Sequence, residues 1–192
     1  IARYLLKECG KVEARDKYTD FNRPSAWMYS DYDMCRFGGL DRWLDAKNND
    51  QIVGAFAHIT STASKIASGD VKKLPPDEEE QAICDAVAYC EKHVIKHVRE
   101  NPSVMFYLVF PPYSRIRYAT WHQYTVSDAH IHEAVVRYFA KTAGELDNLF
   151  VYGFEDQDFL DRIELYKDTS HYHPDITQWI NTCIKNGKCM LT

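Results

Sequence analysis

The sequence predicts an α/β fold, a layered domain built on a mainly parallel sheet. Three observations predict it. "VMFYLVF" (Val104–Phe110) is a continuous apolar run, as expected of a strand buried on both faces. A helical stripe follows from about Asp128 to Ala143, marked by Ile131, Val135, Tyr138, Phe139 and Thr142. "LFVYGF" (Leu149–Phe154) is then a second apolar run. Strand, helix and strand in that order form a βαβ unit with a right-handed crossover.

The other elements read in chain order. Residues 1–73 read as an irregular helical and loop region, with short helices near Ala2–Glu8 and in "LDRWLDAKNN". "GDVKKLPPDEEE" is a loop ending in a helix start: Pro76 suits a first turn, and the acids after it suit the positive end of the helix dipole. That helix runs from about Asp77 to Glu100, with Ile83, Val87, Cys90, Val94 and Val98 along one stripe. "PPYS" (Pro111–Ser114) ends the first strand, and a long loop follows it. After the second strand come "ELYKDTSHYHPD" (Glu164–Asp175), a helix over about Asp175–Lys185, and a last short strand in "NGKCMLT". Residues 74–192 thus carry the βαβ core. The whole, 1–192, reads as one α/β domain.

Composition bounds the function. The chain has 192 residues, 45% of them hydrophobic, which is enough for a sizeable core. A formal charge of −5 argues against a non-specific nucleic-acid binder. No run of roughly 18 apolar residues is present, so we expect no membrane span and no secretory signal within the chain. It opens at Ile1 on a sequence that already reads as helix, so we expect a piece of something longer. The six cysteines form no Cys-x-x-Cys pair and read as buried or reduced thiols; disulfides or a zinc site are the alternative.

The chemistry concentrates near the C-terminus. Asp168 and His171 stand three residues apart in a turn before a helix. That spacing lets the carboxylate reach the imidazole Nδ1–H, which fixes the tautomer and leaves Nε2 to take a proton from a nucleophile. The bland alternative has Asp168 capping a turn and His171 on the surface. In open α/β sheets, sites lie at the carboxyl ends of the strands, where "PPYS" and "GFED" both fall.

Asp168-Thr169-Ser170-His171 resembles the last block of the SGNH (GDSL-like) hydrolase superfamily, an Asp-x-x-His just before the final helix. "LVFPPYS" and the segment Leu149–Ile176 resemble more closely the bacterial envelope-associated SGNH-like proteins. "YLLK" and "FNRPSAWMYS" are similar to their middle region. The resemblance implies a three-layer sandwich and an esterase, or an O-acyl carbohydrate-modifying hydrolase or transferase, of a bacterial cell envelope. Its substrate would be an acyl ester or an O-acylated carbohydrate, with no cofactor. His171 would be the base and Asp168 its orienting acid. The family's Gly-Asp-Ser or Gly-Ser-Ser block is not found: "SGD" (Ser68–Asp70) has the wrong order, and "KNND" (Lys47–Asp50) lacks the glycine of an oxyanion-hole block. We therefore expect this chain to be the C-terminal portion of a larger SGNH-like domain. The nucleophile would lie upstream, and an upstream segment or another chain would complete the sheet at an exposed edge.

Within the chain, Ser114 is the one attractive substitute nucleophile, against a plain role bonding backbone in its turn. Tyr113 suits the wall of a substrate pocket. Arg115 and Arg117 interleave with aromatics and read either as a clamp for an anionic or sugar ligand or as a polar loop. Trp121 and His122 extend that cluster as a stacking platform. Two readings stand beside the esterase. One is a non-catalytic carbohydrate- or protein-binding module on the same fold. The other is a metal-binding protein using His171, His173 and a carboxylate, although no third ligand shows recognised spacing and no metal is expected. "HIH" (His130, His132) sits at a helix start, where residues two apart do not share a face. "HVIKH" (His93, His97) lacks the glutamate of a zinc protease.

Overall fold

A computed structural model describes residues 34–120 and 127–191. The expected Ala2–Glu8 helix, "YLLK", "FNRPSAWMYS", Trp121 and His122 lie outside the described residues. In chain order come α1 (Leu40–Asp45), α2 (Asp50–Ser68), α3 (Pro76–Cys90), a π-helical turn (Glu91–Ile95), α4 (Lys96–Glu100) and β1 (Phe106–Val109). Then follow α5 (Arg115–Thr120), α6 (Ser127–Ala143), β2 (Leu149–Tyr152), two 3-10 turns (Asp158–Asp161 and Ile163–Leu165) and α7 (Pro174–Lys185).

The class is α/β, and β1 and β2 pair in parallel, with Phe106 opposite Leu149 and Val109 opposite Tyr152. The side chains of Phe106, Leu108, Leu149 and Val151 share one face of the pair. They pack there with Ile95 and Val98 from the π turn and α4 and with Phe139 of α6. On the opposite face Phe150 and Tyr152 meet Ile176, Ile180 and Cys183 of α7. A third cluster, Trp43, Ile52 and Tyr166, joins α1 and α2 to the loop that precedes α7.

Four sequence expectations need correction. Residues 34–73 are not irregular: α2 is a 19-residue helix, capped by the Asn49 side chain, which accepts from Gln51 N–H, and closed by Gly69 in the left-handed region (φ 70°). Its Ser, Thr and Gly content hides a stripe at Ile52, Ala55, Phe56 and Ile59. The presumed loop after "PPYS" holds α5. And β1 is not buried on both faces. Tyr107 and Val109 are 52% and 38% exposed, because on that face α7 packs against Phe150 and Tyr152 of β2 and neither residue of β1 joins that cluster. Tyr107 leans instead on Phe150, ring centroids 5.1 Å apart and nearly parallel. The last short strand is a strap rather than a full strand. Met190 bridges Tyr152 antiparallel, and Leu191 N–H donates to Val151 O at 2.9 Å.

Asn148 fixes the start of the strand pair. Its Nδ2 donates to the carbonyls of Val98, Asn101 and Val104 at 3.0, 3.1 and 3.0 Å, and its own carbonyl accepts Phe106 N–H at 2.8 Å. Two amide protons serve three acceptors, so one bond is shared. Replacing Asn148 with alanine removes the side-chain donor from all three carbonyls, of which Val98 O keeps Asn101 N–H and Asn101 O keeps Val104 N–H. We expect a loss of about 2 kcal/mol in urea-unfolding free energy with the fold retained; a loss below a few tenths would show that water replaces the amide.

Candidate active site

The stretch 165–173 is a tight hairpin. His173 N–H donates to Leu165 O at 2.7 Å and Lys167 N–H to His171 O at 3.0 Å, with Tyr166 bridging Tyr172. Asp168 sits at its tip and organises it. One carboxylate oxygen accepts the N–H groups of Ser170 and His171 at 2.8 and 2.9 Å; the other accepts His171 Nδ1–H at 2.6 Å. Asp168 is therefore both a turn cap and the histidine's partner, where the sequence offered these as alternatives. The acid is buried, 6% exposed by side chain, whereas His171 is 57% exposed. The carboxylate fixes the proton on Nδ1, leaving Nε2 on the opposite side of the ring as an acceptor.

The hairpin is anchored at three points. Trp43 Nε1–H donates to Tyr166 O at 3.0 Å. Tyr166 O–H donates to Pro112 O at 3.0 Å. Ser114 donates its hydroxyl to Thr169 O at 2.6 Å and its N–H to the same carbonyl at 3.3 Å. Burial holds the Tyr166 phenol well above its ordinary pKa, so it stays a donor. The proline pair after β1 and the Asp-x-x-His hairpin are thereby tied together at the carboxyl end of the strands.

A cavity of about 360 Å³ opens beside His171, lined by Phe37, Tyr113, Lys167 and Tyr172 among others. Tyr113 thus stands where a pocket wall was expected. Ser114 does not serve as a nucleophile here. It is 1% exposed, its hydroxyl is spent on Thr169 O, and it caps α5 by accepting Arg117 N–H at 3.2 Å. Arg115 is not brought to the cavity. It reaches Asp161 at 3.2 Å and Glu155 O at 3.3 Å, beside a separate groove that holds Tyr118 and His132. Arg117, in α5, gives its carbonyl to Thr120 Oγ1–H at 2.8 Å. The expected Tyr113–Arg cluster is divided because α5 turns its residues about a helix axis.

Three other histidines, His130, His132 and His173, are separately engaged. His130 meets Glu79 at 3.0 Å, and His132 meets Glu155 at 2.6 Å. His173 accepts Asp175 N–H at 3.2 Å as the cap of α7. Among the described residues no group of three or more His, Cys, Asp or Glu is placed to hold a metal ion. Phe37 and Lys167 were missed by the sequence reading. Lys167 adjoins Asp168 and was open to notice; Phe37 lies too far along the chain to carry any signal.

The electrostatics of Asp168 give a pH prediction. Burial by itself would raise its pKa, but the bonds from His171 and from the two backbone N–H groups outweigh that and hold the carboxyl below its ordinary 3.8. A depressed acid stabilises the fold fully above the unfolded value and loses that contribution as pH falls through the folded one. We therefore expect urea-unfolding free energy to drop below about pH 4, and Asp168→Asn to flatten that drop. Equal acid sensitivity in both proteins would assign the loss to other carboxylates.

Comparison with protein-family models, characterised proteins and solved structures finds no match. The class that fold and site define is an α/β domain with a histidine–carboxylate pair beside an aromatic-walled cavity. Among the described residues no helix is long and apolar enough to cross a membrane.

Proposed function

We propose that the protein is an SGNH-like serine esterase, or an O-acyl carbohydrate-modifying hydrolase or transferase, of a bacterial cell envelope. One observation carries this reading: His171 Nδ1 lies 2.6 Å from the buried Asp168 carboxylate, and the ring borders a cavity. His171 Nε2 takes the proton of a serine hydroxyl as its oxygen attacks the ester carbonyl. The imidazolium formed is stabilised by Asp168, then gives the proton to the leaving alcohol. Water, or an acceptor hydroxyl in a transferase, releases the acyl group in a second cycle through the same histidine. The serine comes from outside the described residues. So do the strands that would cover the free edge of β1 and complete a three-layer sandwich; the exposed Tyr107 and Val109 support such a cover.

A second reading, a carbohydrate- or protein-binding module, is favoured by one observation. Ser114, the candidate nucleophile within the chain, is buried and fully engaged. Turnover of a short-chain aryl ester by the full-length polypeptide separates the two. Turnover lost with His171 supports the esterase; binding of acylated sugar without turnover supports the module.

A further inference from the structure

α7 ends in a turn that folds the chain back upon its own last helical residues. Gly187, at φ 62°, donates its N–H to Ile184 O at 3.1 Å, and Lys188 N–H donates to Cys183 O at 2.8 Å. These are the two bonds of a Schellman motif, with Gly187 at the left-handed position. Cys189 follows, itself at φ 60°. Its carbonyl then accepts Gly153 N–H at 3.2 Å, so the strap beyond it is fastened to the end of β2. Cys189 is in this way held between α7 and β2. Its side chain packs against the cluster that contains Cys183, and the Lys188 N–H bond to Cys183 O holds the residue before it over the same turn. Cys183 is 4% exposed; Cys189 is partly exposed, in a cleft with Met190, Leu191 and Asp156.

We propose that Cys183 and Cys189 are a redox-active pair that closes to an intrachain disulfide by exchange with a small-molecule disulfide such as oxidised glutathione. The accessible thiol acts first. Cys189 loses its proton, and its thiolate attacks one sulfur of the small disulfide, releasing one small thiolate. Cys183 then loses its proton and attacks Cys189 Sγ, releasing the second. Two protein thiols are oxidised to one disulfide, one small disulfide is reduced to two thiols, and the two protons pass to the leaving thiolates. The bond formed clamps the strap on β2 to the end of α7. Burial and the neighbouring Cys183 hold the Cys189 thiol above its ordinary pKa, so the first step is slow at neutral pH.

The test is a tryptic map without reduction, after exposure of the full chain to oxidised glutathione. Lys185 and Lys188 lie between the two cysteines, so cleavage separates them unless a disulfide joins them. The expected result is a cross-linked peptide lighter by two hydrogen atoms than its parts. Cys183→Ala should instead trap a stable glutathione adduct on Cys189, and Cys189→Ser should leave Cys183 alkylatable by iodoacetamide after denaturation. A lasting adduct on Cys189 in the unmutated protein, or both thiols alkylated after exposure to excess oxidised glutathione, would overturn the proposal.

Discussion

Replacing His171 by alanine in the full-length polypeptide is expected to lower kcat for ester hydrolysis by roughly six orders of magnitude, and Asp168→Asn by roughly four. The geometry explains both. Alanine removes the group that takes the proton. It keeps the backbone N–H that caps Asp168, and the lost ring is more than half exposed, so the fold should stand. Asparagine retains an oxygen for the Ser170 and His171 N–H groups. It then presents an amide donor where the carboxylate accepted Nδ1–H, which drives the proton to Nε2, where it blocks base catalysis. Circular dichroism beside the turnover assay separates chemistry from unfolding. A His171→Ala protein that hydrolyses ester at the unmutated rate would sink the esterase reading.

Trp43→Ala should be the most destabilising single change among the residues discussed, costing about 4 kcal/mol and lowering Tm by roughly 10 °C. Trp43 is fully buried in the cluster with Ile52 and Tyr166, and its ring meets Phe56 edge-on at 6.4 Å. Alanine leaves a cavity that the surrounding helices fill only in part. It also leaves Tyr166 O without the indole donor, a buried carbonyl with no partner. That carbonyl belongs to the His171 hairpin, so a loosened hairpin should raise backbone hydrogen exchange at Lys167 and His171 more than in α6. Trp43→Phe refills much of the volume without the N–H, and so separates the two costs. A Tm within a degree or two of the unmutated protein would show that α1 does not anchor the site.

Much of the fold was legible in local patterns. The α6 stripe and the apolar runs that became β1 and β2 rest on side-chain periodicity, which acts within one element. The Asp168–His171 contact was legible too, because three residues in a turn set the distance whatever surrounds them. The helix α2 was not, since its Thr, Ser and Gly content masks a stripe that matters only against Trp43 and Tyr166. Nor was the fate of Arg115, which depends on how α5 is rotated above Glu155. For Ser114 the sequence offered either a nucleophile or a hydroxyl bonding backbone in its turn; the structure gives the second, with a Thr169 carbonyl that comes from 55 positions away.

The sequence by itself determined the α/β class, the place of the strand ends and the pairing of an acid with an imidazole, since these follow from spacing along one stretch of backbone. Only the tertiary structure decided that Asp168 is buried while His171 is not, that Tyr113 rather than Arg115 borders the cavity, and that Cys189 folds back onto Cys183. Those depend on which distant surfaces exclude water from one another, and packing between segments far apart in the chain leaves no local pattern to read.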